Sequence, residues 1–221
     1  MAFPDPVARN ALSKLLADAV NDVARDHYDT ISQEPALSAR IGQRAECLSG
    51  RRRRKYQLEV VSQDIPDRGR NSLERKIGAD IYFGVRITGA RQTITKGFLV
   101  QSKWDHGQVS KKLTTQCEDM LRRTQNGAFV WIYGKAGVSS IPAKDLVSSV
   151  QQTTAYKPHG EPLGQFFRQV LDCRHGDFDL ASSDIFTDRR KLSDYVADLR
   201  VRTGIAVSIT PRTDLHSWSI S

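Results

Sequence analysis

Asp80 and the tripeptide Gln101-Ser102-Lys103 are the residues of this chain whose types could do chemistry together. A carboxylate, a side-chain amide oxygen and the backbone carbonyl of Ser102 are the hard oxygen ligands that Mg²⁺ prefers, and such a set leaves positions for water and a phosphate. The Lys103 ammonium beside them can orient or help deprotonate an attacking water and offset charge on phosphoryl oxygens. Carboxylate, amide, carbonyl and ammonium in one place suit hydrolysis of a phosphodiester.

The stretch between them is what brings them together. Ile81, Phe83, Val85 and Ile87 alternate with Tyr82, Gly84, Arg86 and Thr88, which is the period of a half-buried strand. Gly89, Ala90 and Arg91 then supply a turn. Gly97, Phe98, Leu99 and Val100 form a short apolar run, expected where a strand is covered on both faces. In such a hairpin the start of the first strand lies beside the end of the second, so Asp80 meets Gln101 and Lys103. Alternation puts Gln101 and Lys103 on one face and Ser102 on the other.

Gly78-Ala79-Asp80, followed by a hairpin and Gln101-Ser102-Lys103, resembles motifs II and III of the PD-(D/E)XK, or restriction-endonuclease-like, nuclease superfamily. Gln in place of the usual Glu or Asp is similar to the QxK subset of Mrr-like restriction enzymes and some bacterial anti-phage defence nucleases. The resemblance covers roughly Glu34 to Pro142. It implies that Asp80 is the main metal ligand, Gln101 a second ligand or water-holder, and Lys103 the catalytic lysine, with Mg²⁺ or Mn²⁺ as the cofactor. The missing carboxylate weakens such a metal site.

Upstream, Pro4-Asp5-Pro6 opens an amphipathic helix with Val7, Ala11, Leu12, Leu15, Leu16, Ala19, Val20 and Val23 near a helical period. A second helix begins at Gln33-Glu34-Pro35 and runs to about Leu48, with Pro35 at a first-turn position. Glu34 has two readings: it stabilises the helix N-terminus through the macrodipole, or it is the acid that the resembled nucleases carry on a helix before the core sheet. Glu46 is a weaker candidate on the same helix. The basic run Arg51, Arg52, Arg53, Arg54 and Lys55 directly precedes a strand from Tyr56 to Ile65 and is read as a phosphate-contacting edge. A polar turn follows, in which Ser72 caps a helical turn holding Glu74. Glu74, close before Asp80, is a further candidate metal ligand; its other reading is a surface ion pair.

After the hairpin, a helix to about Arg123 carries Val109, Leu113, Cys117, Met120 and Leu121 on one face. Gln116 falls on this helix, and the resemblance implies a place for it near the scissile phosphate or its water. His106 reads as a loop residue, since a metal-plus-lysine mechanism needs no histidine base. Ala128 to Tyr133 and Val138 to Ile141 read as buried strands. Helix, strand, hairpin, helix, strand is the αβββαβ order of the resembled core, reached from periodicity.

Composition sets the outer limits. The chain has 221 residues, 39% hydrophobic and 26% charged, which describes a soluble globular protein large enough for a real core. Its net charge of +8 favours an anionic partner. No apolar run is long enough to span a membrane, and no signal-peptide pattern opens the sequence, so a cytoplasmic location is expected. Cys47, Cys117 and Cys173 are odd in number and widely spaced, which suggests free thiols rather than a disulfide framework or zinc site.

The C-terminal third has helical patterns at Pro162 to Leu171 and Arg189 to Val201 and a strand pattern at Gly204 to Ile209. His175-Gly176-Asp177 with Asp179 reads as a polar loop rather than a metal cluster. The expectation is therefore an α/β (α+β) chain with two parts. Residues 1–150 form a restriction-endonuclease-like αβββαβ core with a mixed sheet flanked by helices, and residues 151–221 a helical and strand extension packed on it or forming an interface. The expected activity is that of a metal-dependent DNA endonuclease of a bacterial restriction or anti-phage system, with RNA as the alternative substrate and a homo-oligomer or a defence-system protein as the partner. The rival expectation is a catalytically weak nucleic-acid-binding or assembly subunit with a nuclease-like fold.

Overall fold

Prolines and capping side chains decide where the first helices begin. The computed structural model describes residues 3, 5–31, 33–53, 55–65, 78–89, 92–107, 109–148 and 160–212. Helix α1, Pro6–His27, starts behind Asp5, whose Oδ1 accepts from the Val7 and Ala8 amides at 3.0 Å each, satisfying donors that a helix start leaves orphaned. Helix α2, Glu34–Glu46, carries Pro35 in its first turn, where a missing N–H costs nothing.

The strands lie where the apolar patterns put them, but the one that begins at Ile81, read as half-buried, is buried on both faces from Ile81 to Val85, because helices cover both sides of the sheet. Strands β1 (Arg52–Arg53) and β2 (Tyr56–Asp64) form a small hairpin, so part of the basic run is itself a strand and not only the lead into one. Strands β3 (Ile81–Thr88) and β4 (Thr93–Trp104) pair antiparallel with Ile81 opposite Val100. Helix α3 (Lys111–Leu121) is capped by Ser110 Oγ, which accepts from the Leu113 amide at 3.2 Å. Strands β5 (Ala128–Gly134) and β6 (Gly137–Pro142), helix α4 (Ala143–Ser148), strand β7 (Glu161–Pro162), helix α5 (Leu163–Leu171), a 3-10 turn at Ser183–Phe186, helix α6 (Arg189–Asp198) and strand β8 (Thr203–Pro211) complete the described chain.

All eight strands form one mixed sheet in the order β1-β2-β8-β3-β4-β5-β6-β7. Helices α1, α2 and α5 cover one face, burying Leu12, Leu16, Leu37, Ile41, Phe166 and Phe167 against Phe83, Phe98, Phe129 and Trp131. Helices α3, α4 and α6 cover the other, with Leu113, Cys117, Met120, Leu146, Leu192 and Val196 on Tyr82, Leu99, Val130 and Ala206. A sheet buried on both faces has strands that read as nearly continuous apolar runs, as β5 does.

One expectation is corrected here. The C-terminal segment is not an appendage to a core that closes near residue 150: β8 sits inside the sheet, antiparallel to β2 over nine residue pairs and parallel to β3 over seven. Ile205, Val207 and Ile209 are fully buried there. The strand pattern at Gly204 to Ile209 was readable, but sheet order is set by which edges remain to be hydrogen-bonded, and no local pattern carries that information.

One buried cation is structural. Lys96 on β4 is 1% exposed and donates to the carbonyls of Val170 and His175, the latter at 3.0 Å, at the end of α5. Burial lowers its pKa, against the pull of Cys173 and Asp172 nearby. The ammonium thereby ties β4 to the end of α5 and to the loop that follows it.

Candidate active site

Where β3 begins at Ile81 opposite Val100, β4 runs on past it, and its exposed edge would leave backbone groups unpaired. Asp80 fills that edge. Its amide donates to the Val100 carbonyl at 2.8 Å, its carbonyl accepts from the Thr203 amide at 3.1 Å, and its carboxylate Oδ2 accepts from the Ser102 amide at 2.8 Å. The same Oδ2 accepts from Gln101 Nε2 at 2.7 Å. The hairpin therefore brings Asp80 and Gln101 together, on the face covered by α3.

Both groups are buried, Asp80 at 6% and Gln101 at 2% exposure. A buried carboxylate needs donors, and it has two fixed ones here. The Gln101 amide also reaches the Ser102 carbonyl at 3.2 Å. That leaves Gln101 Oε1 buried with no hydrogen-bond partner among the described residues, and Gln116 Oε1 on α3 is in the same condition. A buried oxygen in this condition is open to an ordered water or an ion.

Gly78 brings α3 close. It has φ +74°, and a Cβ on it would lie 2.6 Å from Gln116 Cα. Only glycine takes that backbone conformation at such an approach without strain. Gln116 is thus packed against the residue two places before Asp80.

Lys103 Nζ stands 3.5 Å from Glu34 Oε1, with both side chains part-buried. Glu34 comes from the first turn of α2, so the acid and the lysine are supplied by different elements. Glu34 is an acidic residue in a helix first turn, and its side chain meets the lysine. Beneath them lies Cys117, whose thiol burial pushes up to about 12 even with the Lys103 charge pulling the other way.

The structure bonds Asp80, Gln101 and Ser102 to one another, sets Lys103 against Glu34 two residues further along β4, backs Gln116 onto Gly78, and leaves other candidates elsewhere. Glu46 accepts from the Ser62 amide at 2.7 Å and from Arg189 at 3.0 Å, a link between α2, β2 and α6. His106 is exposed and stacks on Trp104 at 6.2 Å. His175 binds Glu161 at 2.6 Å and Asp177 accepts from Thr124 at 2.7 Å, the polar-loop reading. Glu74, the Ser72 cap, Arg54, Ala90 and Arg91 lie outside the described residues.

The basic run is far from Asp80. Arg52 pairs with Gln57 at the end of β2 opposite to Asp64, and β2 and β8 lie between β1 and β3. At ~3.3 Å per residue and ~4.8 Å per strand the separation is about 30 Å. Arg51, Arg52 and Lys55 are exposed there.

Sequence reasoning passed over three hydroxyls under the site: Ser38, the Ser102 side chain and Tyr133. Ser102 Oγ lies 2.9 Å from Tyr133 OH and 3.4 Å from Ser38 Oγ. The signal available was weak, a serine at a strand position facing the core side. Beside Lys103 its register partner Ile132 lines a cavity of about 390 Å³, with Asp105, Gly134, Ser139 and Leu163.

Among the described residues no group of three or more His, Cys, Asp or Glu side chains could hold a metal ion. The oxygen donors that fit a hard cation are mixed in kind, the Asp80 carboxylate with the orphaned Gln101 Oε1. No family model, curated protein or solved structure matches the chain.

Proposed function

We propose that this chain is a metal-dependent nuclease that hydrolyses phosphodiester bonds of DNA, an endonuclease of the bacterial restriction or anti-phage type acting in the cytoplasm. Its core would be restriction-endonuclease-like, made of α2, β2, β3, β4, α3 and β5, with β8 inserted between β2 and β3. The observation that carries the reading is the Asp80–Gln101 pair: a buried carboxylate bonded at 2.7 Å to an amide whose own oxygen is orphaned, with Lys103 and its Glu34 contact further along β4.

Asp80 and Gln101 Oε1 would hold Mg²⁺ or Mn²⁺, with Ser102 backbone and Gln116 close by. Such an ion supplies Lewis-acid activation of water and of the phosphoryl group when bound. The chain's own residues do the rest. Two donors on Oδ2 fix the Asp80 carboxylate before any ligand arrives. Lys103 would orient the attacking water and lend positive charge to the phosphoryl oxygens, and Glu34 holds that ammonium in place.

The charge of +8 supports a polyanionic substrate. At ~3.4 Å per base pair, the basic run would meet phosphates about nine base pairs from the one being cut.

A second reading has its own support: the Asp80 oxygen that Gln101 and Ser102 share is already satisfied, which suits a binding or assembly subunit that does not turn over. Supercoiled plasmid and single-stranded DNA, incubated with Mg²⁺, Mn²⁺ or EDTA, separate the two. The nuclease reading expects metal-dependent cutting that Lys103→Ala and Asp80→Ala abolish while both variants stay folded. DNA bound in EDTA and never cut would replace it with the binding subunit.

A further inference from the structure

We propose that Tyr133 and Ser38 are positioning residues, joined through the Ser102 hydroxyl into a one-way chain of hydrogen bonds that ends on the Glu34 carbonyl and sets Glu34 against Lys103.

The direction follows from proton counting. A hydroxyl has one proton to donate and two lone pairs to accept with. Ser38 donates its proton to the Glu34 carbonyl at 3.1 Å, so toward Ser102, 3.4 Å away, it can only accept. Ser102 spends its own proton on Ser38 and must accept from Tyr133, 2.9 Å away. Tyr133, which also lies within reach of the Ser38 hydroxyl, is the source of the chain. A phenol ordinarily titrates at about 10 and so carries its proton at neutral pH, free to donate to Ser102.

All three hydroxyls are on fully buried residues, where an unpaired polar group costs most. They come from three elements, β5, β4 and α2. Ser102 is also the residue whose amide holds Asp80 Oδ2. One residue therefore ties the carboxylate on one face of β4 to the first turn of α2 on the other. Glu34 lies in that turn, one helical turn before Ser38, so what holds Ser38 to the sheet also fixes the turn that carries Glu34.

The kinetic half of the proposal rests on the nuclease reading; the positional half does not. The test uses Tyr133→Phe, which removes one oxygen from an otherwise unchanged ring, and Ser38→Ala as an independent variant should the first fail to fold. The first readout is the NMR signal of the Lys103 side chain in full-length protein without metal or DNA, with Glu34→Gln as reference for a broken pair. Both variants are expected to move the Lys103 signal toward its Glu34→Gln position. The second readout is plasmid cleavage, where kcat falls on the order of 10- to 100-fold with KM little changed, the mark of misplaced catalytic groups.

A Lys103 signal that stays at the wild-type position in the folded variants overturns the proposal. A moved signal in a protein that never cuts DNA leaves the positioning in place and removes the nuclease reading. Normal kcat with an unmoved signal does the reverse.

Discussion

Gln101 donates its side-chain amide to Asp80 Oδ2 at 2.7 Å, and so presents the opposite end of the same amide, Oε1, as a buried oxygen with no partner among the described residues. A carboxylate at position 101 could not do this. Glutamine acts as donor to the aspartate and as acceptor toward whatever fills the site, which lets the two side chains sit together without charge repulsion.

Gln101→Glu makes that contrast measurable. It replaces a donor 2.7 Å from Oδ2 with a second carboxylate oxygen, and an uncompensated buried charge costs about 3–5 kcal/mol. In EDTA the variant is expected to melt well below wild type, and Mn²⁺ should raise its Tm by more than it raises the wild-type value. Thermal melts with and without metal check both; equal melting in EDTA would contradict the geometry.

Gly78→Ala should be among the costliest single-methyl changes. The residue has φ +74° and the new Cβ would stand 2.6 Å from Gln116 Cα, so backbone strain and overlap together cost about 2–4 kcal/mol. Gly164→Ala is the control: its Cβ meets nothing within 4 Å inside α5, and a gain of about 0.5–1 kcal/mol is expected there. Urea unfolding of the two variants reads the difference.

Truncation tests the place of the C-terminal strand. A chain ending at Arg202 loses β8 and with it nine pairings to β2 and seven to β3. Two strand edges would then face each other across an empty slot, each lined with unpaired N–H and C=O groups. The truncated chain is expected to lack a cooperative unfolding transition, and a soluble, cooperatively melting product would show that the sheet closes without β8.

Cys117 should be silent in the folded protein. Burial raises its thiol from about 9 to about 12, so a thiol reagent at pH 8 is expected to label exposed Cys47 and to reach Cys117 only on unfolding. The linkage has a definite sign. Between those two values the unfolded thiol loses its proton while the folded one keeps it, so the stability present below pH 9 falls as pH rises. The slope from this group is at most about 1.4 kcal/mol per pH unit. Denaturant titrations from pH 8 to 11 should show a shallower loss in Cys117→Ala than in wild type.

The amino-acid order by itself determined the local elements and the pairing of near neighbours. Alternation at Ile81 to Ile87 and the apolar run at Gly97 to Val100 specify β3 and β4, and the short connection between them pairs their near ends and so leaves Asp80 beside Gln101. Gly78 was legible as part of a motif, though its positive φ was not.

Three things were decided only by the folded chain. Sheet order placed β8 between β2 and β3, since any unpaired strand edge can accept any strand and the choice depends on the whole assembly. The same order put Arg51, Arg52 and Lys55 at the far end of the sheet, although they precede Asp80 in the chain. The hydroxyl chain from Tyr133 through Ser102 and Ser38 to Glu34 joins residues 34 to 133. Hydrogen bonds between distant residues depend on distance and burial, which periodicity along a single strand or helix does not encode.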